Sequence, residues 1–450
     1  MKISLFLEHP VPRPWSEDKE RKVFQDALDL VELADKVGIH CVWITEHHFL
    51  EEYSHSSAPE IFLAAASQRT KNIRLGHGIM HMPPNINHPF RVAERISTLD
   101  LVSNGRVEFG TGEASTVAEL DGFRVDPGEK RAMWEEATRA TLRCMTETPF
   151  TGLEGKYVSM PARNVIPKPV QKPHPPLWLA CTRPNTTYLA AELGLGALGF
   201  SFVSPEDMTD RVIKYYETFE EKCVPLGYEV NPKMLAIGGE MPLMCAPTEE
   251  QAVAALGAVS GGGFFGFGIM YYYNFGLHAP GNTDLWGMYA GAVGADPSVG
   301  YGPDRGPVGT PDMLRAWCQR YEAAGVDECM FLLNPDSHEA TMESLELFGK
   351  EVLPEIVERD ELFVKERATK LAPAIDRAMA RRPPDDAPAL DPDYKFGGVP
   401  TSSVTGKTAD EALIAIQEMA AAQERDAKRR AKSLENLGRP VDEADGLRPR

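Results

Sequence analysis

Positive charge is in short supply. Of 450 residues, 47 are Lys or Arg against 66 Asp or Glu, a net charge of -19. With no basic stripe to offset it, that balance repels phosphate backbones and anionic lipid surfaces, so neither nucleic acid nor membrane is expected as a partner. Paired cysteines are missing too. The seven cysteines (41, 144, 181, 223, 245, 318, 329) stand singly without a CxxC, which fits a reduced, cytoplasmic setting better than a disulfide framework. The opening MKISLFLEHP holds only a short apolar run, broken by Glu8 and Pro10; that is too short for a secretory leader and reads as a first strand. Residues 252 to 283 lack Asp, Glu, Lys and Arg altogether. Their length would permit a membrane span, but three consecutive glycines, Asn274, Pro280 and Asn282 are poor material for a lipid-facing helix.

What is present is alternation. "ISLFLE" is followed by 22 to 37, where Val23, Ala27, Leu30, Val31 and Ala34 recur at helical spacing before Gly38. The pattern repeats as "CVWIT" with 58 to 70, "IRLGHGI" with 89 to 103, "RVEFGTG" with 128 to 147, "PLWLAC" with 184 to 194, "ALGFSFV" with 205 to 223, "MLAIGGEMPLMC" with 249 onward, and "ECMFLLN" with 338 to 356. Eight such units predict an α/β fold of the (β/α)8 TIM-barrel type with an insertion after strand seven. An open doubly wound sheet is the structural rival. The expected organisation is a catalytic barrel over 1–358, a Pro- and Asp-rich arm or linker over 359–407 ("RRPPDDAPALDPD"), and a C-terminal amphipathic helix over 408–450, where Thr408 and Glu411 have capping-box spacing.

Chemistry gathers at strand ends. "WITEHHF" (43–49) puts Glu46, His47 and His48 where a barrel strand should stop, on the face where barrel enzymes keep their catalytic groups. Gly194, Gly196 and Gly199 spell GxGxxG, yet a helix precedes them and a strand follows; the dinucleotide motif needs the reverse, so this reads as a tight loop. Histidines cluster early (40, 47, 48, 55, 77, 81, 88), as in a metal-dependent barrel hydrolase, but neither HxH nor HExxH occurs and no metal ligand is assigned. Gly110, Thr111 and Gly112 end strand four, where glycines admit a flat ligand close to the backbone. In "ACTRPNTT", Cys181, Thr182, Thr186 and Thr187 surround a helix start, a natural anion site or an ordinary cap.

Taken in order, "WITEHHF", "LGHGIMHMPPNINHP", "LDLVSNGRVEFGTG" and "VGTP" (308–311) make residues 1 to 356 resemble the bacterial luciferase-like flavin monooxygenases. The resemblance implies a flavin-dependent monooxygenase that takes reduced FMN from a separate flavin reductase and oxygenates a hydrophobic small molecule with O2 through a C4a-peroxyflavin. It places the catalytic histidine at His47, the cofactor against His77, Gly78, Thr111 and Gly112, and the phosphate on Cys181, Thr182 and Thr186, with Arg183 as a substitute for a missing arginine. It also implies a cis peptide between Gly78 and Ile79, a homodimer, and a mobile lid carrying Phe264, Phe265, Tyr271, Tyr272 and Trp286. One departure stands out: Glu113 occupies the position of the luciferases' phosphate-binding arginine. A deazaflavin (F420)-dependent oxidoreductase is the nearest alternative, followed by a metal-dependent hydrolase and a non-catalytic flavin-binding protein.

Overall fold

Strand β1 (Lys2–Leu7) pairs on one side with β2 (Cys41–Ile44) and on the other with β8 (Glu328–Leu332). Between them, β3 (Arg74–His77), β4 (Val107–Gly112), β5 (Leu177–Cys181), β6 (Gly196–Gly199) and β7 (Met234–Ile237) complete a ring in which each strand is parallel to the next. The sheet therefore closes into a barrel, and the open-sheet rival is excluded. This computed structural model describes residues 1–200, 203–239, 241–256, 263–275, 278–293, 306–333, 337–394, 396 and 409–436.

The helices follow in chain order: α1 (Lys19–Val37), α2 (Pro59–Arg69), α3 (Pro89–Val102), α4 (Val117–Gly122), α5 (Lys130–Thr146), α6 (Pro184–Glu192), α7 (Pro205–Lys222) and α8 (Glu249–Ala255). Then come α9 (Gly263–Met270), α10 (Leu285–Val293), α11 (Pro311–Ala323), α12 (His338–Glu351), α13 (Leu353–Arg381) and α14 (Ala409–Asn436). In α1 the buried Ala27, Leu30, Val31 and Ala34 form one stripe, and Gly38 at φ 94° ends the helix in a conformation that costs glycine little.

Alternation along each strand sorts the core into two layers. Ile3, Leu5, Leu7, Val42, Ile44, Leu75, Val107, Phe109 and Leu177 face the helices, while Phe6, Trp43, Trp178, Leu198, Leu235 and Met330 fill the barrel interior. Glu108, Glu328 and Arg74 share that interior. Trp43 donates to Glu328 at 2.9 Å, Trp178 donates to Glu108 at 2.7 Å, and Arg74 pairs with Glu108. Each buried carboxylate is thus matched by a donor, without which burying it would be costly.

After β7 the chain inserts α8, α9, a π-helical turn (Tyr271–Phe275) and α10 before returning to the barrel at a short parallel pairing of Met244–Cys245 with Val308–Gly309. Glu51 and Glu52 grip this insertion from the loop after β2. Gly281 N–H donates to Glu51 at 2.6 Å, the N–H groups of Leu285 and Trp286 at the start of α10 donate to Glu52, and Arg13 reaches Thr283 O at 2.9 Å. Among the described residues no helix is long and apolar enough to cross a membrane.

The expected boundary at 358 falls inside α13. This helix runs unbroken to Arg381 and buries Ile356, Leu371, Ala374 and Ala378, so residues 359–381 are helix rather than arm. Asp360 pairs with Lys2 of β1, and Arg381 donates to Cys223 O at 2.8 Å. The first compact unit ends at Pro388. The second unit, Ala389–Arg450, is described mainly by α14; Thr408 and residues 437–450 lie outside the described residues.

Candidate active site

A cavity of about 590 Å³ opens at the C-terminal ends of the strands, lined from β1, β4 and β5, the segments that follow β1 to β6, and the insertion. Its size suits a cofactor-scale ligand. One part of the lining is built around His47, which leaves β2 with its ring buried. Nδ1 lies 2.8 Å from Glu119 Oε1, so that nitrogen donates and Nε2 is left on the side of Glu8, whose Oε2 is 3.9 Å away. Glu119 is fully engaged: it also accepts the His48 N–H at 3.1 Å and the Thr116 hydroxyl at 2.6 Å, and Thr116 in turn caps α4.

These contacts set the charges. Burial opposes an imidazolium at His47, but Glu119 and Glu8 outweigh it and push the pKa up to about 9. Burial would raise Glu119, yet His47 and His81 draw it down to about 2. Glu8 moves the other way, raised by burial despite His47 nearby. His81, also lining the cavity, is lowered by burial, and its Nδ1 has no partner among the described residues. Glu46 accepts from Asn87 at 2.7 Å and from the His81 N–H at 2.9 Å. Two sets, His47/His81/Glu119 and Glu46/His48/His81, bring their ligand atoms within 4.8 Å of one another.

Another part of the lining is cationic. Lys130 and Arg131 from the start of α5, Arg183 ahead of α6, and the hydroxyls of Thr182 and Thr186 line it beside the N-terminus of α6, the combination that binds phosphate. Glu113, expected only as a departure, pairs with Arg131 and with Lys130 at 3.6 Å and so anchors both there.

A flat wall belongs to the same lining. The Gly78–Ile79 peptide is cis, as the resemblance implied. A Cβ on Gly110 would sit 1.9 Å from His77 O, and one on Gly112 would sit 2.5 Å from Ile79 Cδ1, so no larger residue lets β4 lie this close to the segment after β3.

Of the expected cofactor residues, Gly78, Gly112, Thr182, Arg183 and Thr186 line the cavity with His47. Three others do not. His77 is wholly buried, with both ring nitrogens unpartnered among the described residues and its pKa lowered to about 4 by burial. Thr111 donates to Trp178 O at 2.9 Å and accepts from Trp134 at 3.0 Å. Cys181 turns toward the helices, where burial pushes its thiol up to about 12. Each occupies the outward phase of its strand.

The insertion meets the cavity through Ile269 and Tyr273, not through the expected aromatics. Phe264 packs on Trp286 and Tyr289 with ring centroids 5.5 and 5.7 Å away, and Tyr272 stacks on His278 at 4.7 Å and meets Tyr53 at 6.0 Å, so Phe264, Tyr271, Tyr272 and Trp286 extend the barrel's interior cluster without lining the cavity. The Phe265 side chain lies outside the described residues. Residues that the sequence reading passed over include Glu8, Glu119, Lys130 and Arg131. A signal existed for one of them: Thr116-Val-Ala-Glu119 is a capping-box spacing.

Comparison with known proteins fits this geometry. The chain is 28% identical to limonene 1,2-monooxygenase of Rhodococcus erythropolis over 76% of this chain and 84% of that protein. It is 25% identical to the oxygenase component of the flavin-dependent trigonelline monooxygenase of Acinetobacter baylyi, over 79% and 95% of the two chains. A 32% match to an uncharacterised protein of Sinorhizobium fredii spans 44% of this chain and only 56% of that relative. Among solved structures, the FMN-bound oxygenating constituent of 3,6-diketocamphane monooxygenase from Pseudomonas putida superposes with a TM-score of 0.60 at 22% identity, over 79% of this chain and 98% of that one. The coenzyme F420-dependent tetrahydromethanopterin reductase of Methanopyrus kandleri gives 0.56 at 21% identity, over 79% and 99%. The family model for luciferase-like monooxygenase matches residues 1–328, and the chain belongs to that family.

Proposed function

We propose that this chain is the oxygenating component of a two-protein monooxygenase, accepting reduced FMN from a separate reductase and using O2 to oxygenate a hydrophobic small molecule. The observation that carries the reading is the make-up of a single cavity: a cationic group suited to phosphate, a flat peptide wall, and a buried histidine held as a proton donor. Relatives that are an oxygenase component and an FMN complex support it. When bound, reduced FMN supplies the electron pair with which O2 is activated.

Lys130, Arg131, Arg183 and the α6 N-terminus would hold the phosphate, and Gly78, Ile79 and Gly112 would take the ring system. His47 holds a proton on the cavity side at Nε2, with Glu119 fixing the ring and favouring its charged form. Ile269 and Tyr273 line the cavity from the insertion, where they would help to exclude water from a bound flavin.

The F420 reading shares this site and has an F420-dependent structural neighbour. Anaerobic titration with FMNH2 and with reduced F420, followed by admission of air, separates the two. The expected result is one equivalent of FMNH2 bound and a reoxidation time course distinct from that of free FMNH2. Binding of reduced F420 alone, without oxygen uptake, sinks the monooxygenase reading.

A further inference from the structure

The cavity holds one carboxylate whose only charged neighbour among the described residues is a histidine that another carboxylate already binds. Glu113 is matched by Arg131 and Lys130, Glu119 by His47, and Glu46 by His48, Asn87 and a backbone N–H. Glu8 is different. It continues the inward phase of Phe6, is 2% exposed and lines the cavity. It accepts from the Thr45 hydroxyl at 2.8 Å and the Tyr53 hydroxyl at 3.2 Å, and among the described residues no lysine or arginine pairs with it. Its nearest charge is His47, 3.9 Å away and already hydrogen-bonded to Glu119.

The Thr45, Tyr53 and Ser54 hydroxyls together leave part of the carboxylate's acceptor capacity unused. The remainder faces a space walled by Phe6, Tyr53, Phe200, Ile269 and Tyr273. Phe6 and Phe200 meet with centroids 5.2 Å apart, giving that space a continuous aromatic side. A buried carboxylate without a lysine or arginine partner, set among aromatic faces, is an environment that stabilises an organic cation, through direct Coulomb attraction and through the rings. At the cationic part of the lining, Lys130, Arg131 and Arg183 would repel the same group, so the cavity's charges also fix which way such a ligand enters.

We propose that Glu8 is a specificity-determining residue and that the substrate pairs a compact apolar body with a cationic nitrogen seated against Glu8. This deepens the monooxygenase reading and rests on it. No covalent step is assigned to Glu8; it binds and orients.

The test compares two probes of nearly equal size, benzylammonium and the neutral benzyl alcohol, by isothermal titration calorimetry on the full chain with FMN present. The wild type is expected to bind the cation at least about tenfold tighter than the alcohol, on the scale of one close charge pair. Glu8→Gln keeps the size and the ability to accept, and is expected to erase that preference while FMN affinity and the thermal midpoint stay near wild type. Glu8→Asp, charged but shorter, is expected to keep part of it. Equal affinities in the wild type, or an undiminished preference in Glu8→Gln, overturn the proposal. A loss of FMN binding in Glu8→Gln overturns it as well, because Glu8 would then serve the cofactor. Failure of the wild type to bind FMN at all speaks instead against the monooxygenase reading, and is read separately before either probe is added.

Discussion

At the residue scale, His47 is defined by the partner on its far side. Because Glu119 and Glu8 raise its pKa to about 9 from 6.5, the charged ring is favoured up to that point and lost as pH rises through it. FMNH2-dependent substrate oxidation is therefore expected to fall on the alkaline limb near that value, and Glu119→Gln to move the limb toward lower pH by weakening the field. His47→Asn is expected to cut oxidation by about two orders of magnitude, within the span of lost acid-base help, and to divert reduced flavin to hydrogen peroxide. His48→Asn is the control, since its Nε2 engages Glu46 at 3.1 Å and its ring packs on Phe123. Equal damage from both changes would reduce His47 to a structural role. Chelation provides a further check: the His47/His81/Glu119 set has the makings of a cation site, yet EDTA should leave FMNH2-dependent oxygen uptake unchanged. Loss of uptake restored by zinc would favour the hydrolase alternative.

Single residues were the hardest features to read from sequence. Gly112 and Thr111, or Thr182 and Cys181, are adjacent letters, but a strand turns successive side chains to opposite faces. A motif spans a whole segment, so Thr111, Cys181 and His77 stand in it beside neighbours that do reach the cavity. Glu8 and Glu119 depend on chain segments 39 and 72 residues from His47 coming together, which no local pattern expresses.

Elements were far more legible. Each of the eight strand–helix units stands where apolar spacing, proline starts and glycine stops put it, because those signals act within a few residues. The insertion was visible as an uncharged stretch, but not how it is held. Glu52 accepts two N–H groups at the start of α10 while itself wholly buried. Glu52→Ala is expected to destabilise that attachment by about 1 to 2 kcal/mol, as for loss of a helix cap, and to appear as faster proteolysis within 263–293 with little change in far-UV circular dichroism. Cleavage no faster than in the wild type would mean that Arg13 and Glu51 suffice.

For the whole molecule, the barrel and its closing helix act together. Because α13 buries Leu371, Ala374 and Ala378 beyond position 358, a chain ending at Pro388 is expected to fold and bind FMN, whereas one ending at Glu358 loses that packing and is expected to be insoluble or markedly less thermostable. Equal thermal midpoints for the two would show that the second half of α13 is dispensable. Acid sensitivity is also a property of the whole. Burial lowers His9 to about 3 and His77 and His174 to about 4, so below pH 6.5 the unfolded chain takes up protons that the folded chain refuses. Each contributes a loss of up to about 1.4 kcal/mol per pH unit over that window, while His47 contributes the opposite loss above it. The thermal midpoint is thus expected to peak near neutrality; a flat profile from pH 4 to 6.5 would contradict this account.

The two indoles at the centre of the barrel have a further consequence. Trp43 and Trp178 lie edge to face with centroids 5.3 Å apart, and the Trp43 Cβ is 3.3 Å from where a Cβ on the cavity-lining Gly78 would stand. They are shielded from solvent by the strands themselves, so their emission should be blue-shifted in the empty barrel. FMN in its oxidised, yellow form settling on the Gly78 wall would drain that emission by energy transfer, while a colourless substrate would leave most of it intact. The barrel thus contains its own optical gauge, able to tell cofactor arrival from substrate arrival without a label.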